Sequence, residues 1–163
     1  MPENKYLNIY LADHEAAAVA GLELAKRAAG NNGGTPLNDF LDKLARDIEE
    51  DRVSLERSMT ALGAPKSRYK EAGAWVLERV GRLKLNGQLT GYSDLSRLVE
   101  LEGLAVAVEG KLSLWRSLKE LAETDGRISR SEMERLEKRA ATQRLEIEGF
   151  RQEAARIALA AGS

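Results

Sequence analysis

Apolar residues recur every three or four positions along most of the chain, and no segment keeps the strict alternation of a half-buried β-strand. This spacing predicts four long helices, covering about residues 5–29, 36–62, 94–123 and 130 to beyond 157. At about 1.5 Å per residue, helices of this size are roughly 37–46 Å long. Such lengths are typical of a four-helix bundle, in which each helix buries one apolar stripe against the others.

The ends of these helices carry residues that start or stop a helix. Thr35 precedes Pro36 at the start of the second helix. Its side chain can cap the free backbone N–H groups, and proline is tolerated at the first helical position because an N–H there would have no partner within the helix. Ser93 occupies the capping position before the third helix, and Ser129 is followed three residues later by a glutamate, as in a capping box. Gly63 follows the second helix, where a left-handed residue is expected. We therefore expect the helix boundaries to lie close to these residues.

The connections between the helices predict the topology. Short turns join the first helix to the second and the third to the fourth, so each of these pairs is expected to be antiparallel. Residues 66–85, between the two pairs, predict a shorter helix flanked by glycine-containing turns. The chain is therefore predicted to form one all-α domain over residues 1–163. This domain is an antiparallel four-helix bundle with an additional short helix in the crossover between the second and third bundle helices.

Composition narrows the function of such a bundle. The chain has 25 Lys and Arg against 26 Asp and Glu, so no excess positive charge is available for nucleic acid or an anionic membrane. It has no cysteine, which excludes disulfides and thiolate chemistry. No apolar run approaches the roughly 20 residues that span a bilayer, and the start lacks a signal-peptide pattern. We therefore expect a cytoplasmic protein that binds neither nucleic acid nor membrane.

Acidic residues cluster at three places on the predicted helices, at residues 13–15, 49–51 and 99–102. Together with two long hairpins joined by one long crossover, this pattern resembles the ferritin-like superfamily, in which acidic residues at such places supply metal ligands. The resemblance implies the fold and, as candidate cofactor, iron or another divalent metal. The Glu-x-x-His motifs of di-iron members are absent, since the chain has one histidine and Glu50 is followed three residues later by Val53.

Polar residues interrupt the apolar stripes at one level of the predicted bundle. His14, Asp51 and Gln143 lie inside their stripes, and Glu109 falls near the same height at the edge of its own. One interpretation is a hydrogen-bonded layer of His14, Asp51 and Gln143 that helps to set the helix register. The other is a single metal ion bound by His14, Asp51 and either Glu109 or Glu102.

The sequence contains no motif of a known catalytic centre: no phosphate-binding loop, nucleophile elbow or His-Glu-x-x-His. It therefore identifies no catalytic residue, and it favours a protein that is not an enzyme without deciding the matter. The first hypothesis is a helical interaction or scaffold protein that self-associates through apolar positions such as Ile9, Val19 and Leu104. The alternative is a ferritin-like protein that binds a metal or small ligand through the reduced ligand set above, in one form as an oxidoreductase.

Overall fold

The computed structural model describes residues 4–65 and 91–160, and within these ranges every regular element is a helix. The helices are α1 (Lys5–Asn31), α2 (Pro36–Leu62), α3 (Asp94–Leu121) and α4 (Arg130–Ala160). They pack against one another, so the predicted all-α class is confirmed. The additional short helix predicted at residues 66–85 lies outside the described residues.

Local side-chain chemistry fixes the helix ends near their predicted positions. The hydroxyl of Thr35 accepts a hydrogen bond from the Asn38 backbone N–H at 3.2 Å. Ser93 caps α3 in a reciprocal capping box with Ser96. Gly63 ends α2 with a φ of 73°, a left-handed conformation that glycine adopts without a steric penalty. The boundaries that the sequence predicts for α2 are therefore confirmed.

Helix α1 packs against α2 and α3, whereas α4 packs extensively against α3 and only at a few positions against α2. Glycines allow the close approach of α1 and α3. A Cβ added at Gly21 would lie 3.5 Å from the Ala107 Cβ, and one added at Gly103 would lie 3.0 Å from Leu24 Cδ2. An added methyl group would be tight at Gly103 and in ordinary contact at Gly21, so small residues line the α1–α3 contact, and the α2–α4 contact is the least extensive of the four helix pairs in contact.

The buried apolar residues form two clusters along the bundle, one on each side of a central polar level. The larger side chains of the first are Leu22, Leu24, Leu37, Leu41, Leu44, Ile48, Leu98, Leu101, Leu104, Val108 and Ile147. Those of the second are Leu11, Leu55, Met59, Leu62, Leu112, Leu114, Trp115, Leu118, Ile128, Met133 and Leu136. The break falls between residues 48 and 55 on α2, 108 and 112 on α3, and 140 and 147 on α4.

A polar network ties the α1–α2 turn to the start of α3. The Asn32 side-chain amide donates to the Ala28 carbonyl at 2.7 Å and to the Tyr92 hydroxyl at 2.9 Å. Arg97 donates to Asn32 Oδ1 at 2.7 Å, and the Tyr92 hydroxyl donates to Glu100 Oε2 at 3.0 Å. Burial, with the adjacent Glu100 carboxylate, raises the pKa of Tyr92 to about 12. By bonding a late carbonyl of α1, Asn32 also helps this helix to continue two residues beyond its predicted end.

Surface exposure corrects one sequence-based expectation. Leu104, which we expected on a face that the bundle leaves uncovered, is completely buried because it lies one helical turn from Leu101 and Val108 on the same stripe. Ile9 is 49% exposed, as expected. Within residues 4–65 and 91–160, no helix combines the length and apolar character needed to cross a membrane. The cytoplasmic location stays a prediction.

Candidate functional site

A cavity of about 380 Å³ lies among α1, α2 and α3, beside the central polar level. Its wall is almost entirely apolar, and alanine and glycine supply much of it on α1 and α3. The lining residues are Asp13, His14, Ala17, Ala18, Ala20, Gly21 and Leu24 of α1, Ile48, Asp51, Arg52 and Leu55 of α2, and Gly103, Val106, Ala107, Val108, Gly110, Lys111, Leu114 and Trp115 of α3. Helix α4 contributes none of these side chains.

Five side chains form an ion network between the two apolar clusters and join α2, α3 and α4. The Lys111 ammonium donates to Asp51 Oδ2 and to Gln143 Oε1, at 2.6 Å in each case. Arg139 donates to Asp51 Oδ1, the other oxygen of the same carboxylate. The Gln143 amide donates to Asp47 Oδ2 at 2.8 Å. We call Asp47, Asp51, Lys111, Arg139 and Gln143 the ion network, and two exposed residues extend it to the surface, since Lys43 donates to Asp47 at 2.8 Å and Arg139 to Glu50 at 2.7 Å.

Burial and pairing shift the pKa values of these charged groups in opposite directions. Burial lowers the pKa of Lys111, and the attraction of Asp51 opposes this shift without cancelling it. For Asp47, burial acts to raise the pKa, but hydrogen bonds from Lys43 and Gln143 outweigh it and leave the pKa lowered. The network is thus stable because each buried charge has a partner, and loss of one partner would leave another charge unpaired.

His14 lines the cavity without joining the ion network. Its half-buried ring meets Tyr10 edge-on, with ring centroids 4.6 Å apart. Burial lowers the pKa of His14 below its ordinary value of 6.5, against the raising effect of Asp13. No described residue forms a hydrogen bond with the imidazole, so the expected bonding of His14 to Asp51 and Gln143 is wrong. The long cations of α3 and α4 reach those two residues instead.

The structure brings together two of the four residues proposed as metal ligands. His14 and Asp51 line the same cavity. Glu102 and Glu109 are exposed and each pairs with an arginine of α4, with N–O distances of 3.9 and 2.5 Å. The described part of the chain holds no group of three or more histidine or acidic side chains that could bind a metal ion.

Each acidic segment of the sequence buries one carboxylate. These are Glu15, Asp51 and Glu100. Glu100, rather than Glu102, faces the interior because two residues of an α-helix turn the side chain by about 200°. Glu100 bonds to Arg27 at 3.3 Å, near the end of α1, whereas Glu15 Oε2 is buried without a partner among the described residues. Only Asp51 of the three lines the cavity.

Sequence reasoning missed the two cations of the ion network. Lys111 lies three residues after Val108 and four before Trp115, and Arg139 lies four residues before Gln143. Both therefore share a helical face with buried residues, which was a usable signal. This signal alone does not identify a buried cation, because lysine and arginine beside an apolar stripe usually extend their charged ends to solvent.

No family model matches the chain, and no match was found among curated proteins or solved structures. The geometry alone therefore indicates what the site can do. The site combines an apolar cavity that is large enough for a small ligand with buried charges that already have partners. Such a site is suited to holding a small apolar molecule, with the imidazole of His14 beside it.

Replacing Lys111 with methionine should destabilise the fold because Asp51 Oδ2 loses its buried cation. We expect the free energy of unfolding, measured by urea denaturation, to fall by about 3 kcal/mol. The same substitution at Lys119 is the matched control, since each carboxylate keeps an arginine as second partner but Lys119 and Glu137 are both more exposed than Lys111 and Asp51. The control should lose less than about 1 kcal/mol. Equal losses in the two variants would contradict a special role for the ion network.

The lowered pKa of His14 predicts a specific pH dependence of stability. As the pH falls, the unfolded chain takes up the imidazole proton at a higher pH than the folded protein does. The contribution of His14 to the free energy of unfolding is therefore fully present above pH 6.5 and is lost as the pH falls below that value. Between about pH 7.5 and about pH 5.5, the unfolding free energy of the wild type should fall more than that of a His14→Gln variant. His14 is the one histidine of the chain, so the difference isolates it. Parallel profiles for the two proteins would refute this assignment.

Proposed function

We propose that the protein is a small-ligand-binding helical bundle that holds a mainly apolar molecule in the cavity among α1, α2 and α3. The cavity is the observation that carries this proposal. Its volume of about 380 Å³ falls within the range of small-molecule sites, about 300–1,000 Å³. A cavity of about 150 Å³ accommodates benzene, so this one has room for a ligand of two fused rings.

The packing of the bundle supports a binding role for this volume. The cavity is partly open to solvent, because Ala17 and Val106 in its wall are exposed, so without a ligand its apolar wall is in contact with water. The small residues Ala17, Gly21, Ala107 and Gly110 line the cavity at positions where larger side chains would fill it. A ligand there would remove this apolar surface from water and add van der Waals contacts to it.

The finer description of the fold belongs to the same proposal. The Tyr10 hydroxyl, near the start of α1, bonds to Ser117 near the end of α3 at 3.0 Å. Arg27, near the end of α1, bonds to Glu100 near the start of α3. These contacts support opposite directions for α1 and α3, as the ferritin-like arrangement with antiparallel hairpins and a long crossover requires. We therefore retain the ferritin-like bundle, with its crossover helix, as the proposed architecture.

The contacts favour binding of an apolar molecule over the reduced metal site. Asp51 accepts hydrogen bonds on both carboxylate oxygens, from Lys111 and Arg139. Using this carboxylate as a metal ligand would place the metal ion against two cations and would break a buried pair. A binding role also needs no catalytic residue. For these reasons we prefer a binding protein to an oxidoreductase.

A bulky residue at Gly110 should block the cavity. A Cβ added at Gly110 meets no heavy atom within 4 Å, so leucine fits there at the cavity wall. Saturating 2-methylnaphthalene should raise the midpoint temperature of thermal unfolding of the wild type and should leave that of Gly110→Leu unchanged. The matched control is Gly149→Leu on α4, because an added Cβ is equally unobstructed there and Gly149 does not line the cavity. This variant should respond to the compound like the wild type. No shift in the wild type, or equal shifts in all three proteins, would refute the proposal.

Exposed apolar side chains favour self-association as a second property. Tyr6, Val106 and Leu145 are 84%, 74% and 72% exposed. We expect light scattering at high concentration to give a mass above that of the monomer, and Leu145→Glu to reduce it. A monomer mass across the concentration range would contradict this second candidate.

A further inference from the structure

The polar atoms around the cavity differ in whether a ligand could reach them. The carboxylate of Asp51 and the ammonium of Lys111 are engaged in the ion network. The indole N–H of Trp115 has no partner among the described residues, but the atom is sealed from even a water-sized molecule. Arg52 donates through Nη1 to Glu49 at 3.2 Å, and its Nε is sealed in the same way. Asp51, Lys111 and Trp115 therefore offer little to a ligand, and the charge of Arg52 is already balanced by Glu49.

His14 differs from these groups because it is an uncharged polar side chain of the wall that a ligand can reach. Its ring is half-buried, no described residue bonds to its nitrogens, and neither nitrogen is sealed in the way of the Trp115 indole. A neutral imidazole carries one N–H donor and one nitrogen acceptor. A hydroxyl group can use either of them, since it is itself both a donor and an acceptor. Asp13 also lines the cavity, but its side chain is exposed to solvent.

The charges of the wall argue against an ionic ligand. The charged lining residues are two acids, Asp13 and Asp51, and two bases, Arg52 and Lys111. Lys111 pairs with Asp51 at 2.6 Å, so no buried charge is left to neutralise one brought by a ligand. A charge moved from water into an apolar site without a partner is strongly disfavoured.

From these observations we infer that the cavity is selective for an uncharged, mainly apolar alcohol or phenol whose hydroxyl group hydrogen-bonds to the imidazole of His14. The inference rests on the proposed binding function and adds the class of ligand to it. The apolar wall supplies most of the affinity by burying the hydrocarbon part, and His14 supplies the preference for one polar group.

Four naphthalene derivatives with the same ring system test the inference: 2-methylnaphthalene, 2-naphthalenemethanol, 2-naphthoate and 2-naphthylmethylammonium. Their dissociation constants are measured by equilibrium dialysis above pH 7, where the lowered pKa of His14 keeps the imidazole neutral. We expect the alcohol to bind the wild type at least about tenfold more tightly than either ion. This order tests the inference on the wild-type protein, whether or not any variant folds.

Substitution of His14 tests whether its imidazole is the group that hydrogen-bonds to the hydroxyl of the ligand. In His14→Phe, we expect binding of the alcohol to weaken by about tenfold, while binding of 2-methylnaphthalene is unchanged or tighter. His14→Asn keeps a donor and an acceptor and should retain part of the alcohol affinity. Tyr10→Phe is the control, because it keeps the ring beside His14 and removes only the hydroxyl that bonds to Ser117.

The outcomes separate this inference from the proposed function. The inference is overturned if 2-methylnaphthalene binds but His14→Phe weakens the binding of the alcohol and of 2-methylnaphthalene equally, or changes the binding of neither compound. In that case the binding function stands. Tighter binding of the ammonium or the carboxylate than of the alcohol also overturns it, and would assign recognition to Asp13 or Arg52. If none of the four compounds binds, the binding function itself fails.

Discussion

The buried pairing of Asp51 with Lys111 and Arg139 is the interaction on which the rest of the bundle depends. Helices α2 and α4 have few direct contacts, so the bonds of Arg139 to Asp51 and Glu50 and the Asp47–Gln143 bond are their main polar connections. The network also divides the apolar interior into two clusters. A buried ion pair contributes less to stability than its Coulomb energy suggests, because both ions lose hydration. Its clearer effect here is on register, since sliding one helix would separate buried charges from their partners.

The cavity is a consequence of how that network is oriented. Asp51 and Lys111 find their further partners on α4, so the polar ends of these side chains are satisfied on the side away from α1. Towards α1, the space beside them is lined mainly by aliphatic side chains and by glycine and alanine. Close approach of α1 and α3 at Gly21 and Gly103 brings the backbones together without filling this space with side chains. An apolar site can therefore lie directly beside a group of buried ions.

The sequence predicts the elements of this fold better than its site. Thr35 and Gly63 act through bonds to residues close by in the chain, so their roles as helix ends follow from local chemistry. The interruption of an apolar stripe identified Asp51 as a buried polar residue for a similar reason. Its partners could not be found in this way, because Lys111 and Arg139 reach it from positions 60 and 88 residues distant. The cavity was also beyond sequence reasoning, since the spacing of helices depends on packing across all of them.

The same network determines how the ferritin-like resemblance should be understood. In that superfamily, carboxylates near the middle of the bundle serve as ligands for metal cations. In this chain, the ammonium of Lys111 and the guanidinium of Arg139 supply positive charge to Asp51 from within the protein. The carboxylate is thereby neutralised, and the positive charge belongs to side chains that also hold α3 and α4 in place. We infer that the central polar level serves the architecture of the four helices, whereas the proposed binding site lies in the neutral space beside it, where His14 is the accessible imidazole.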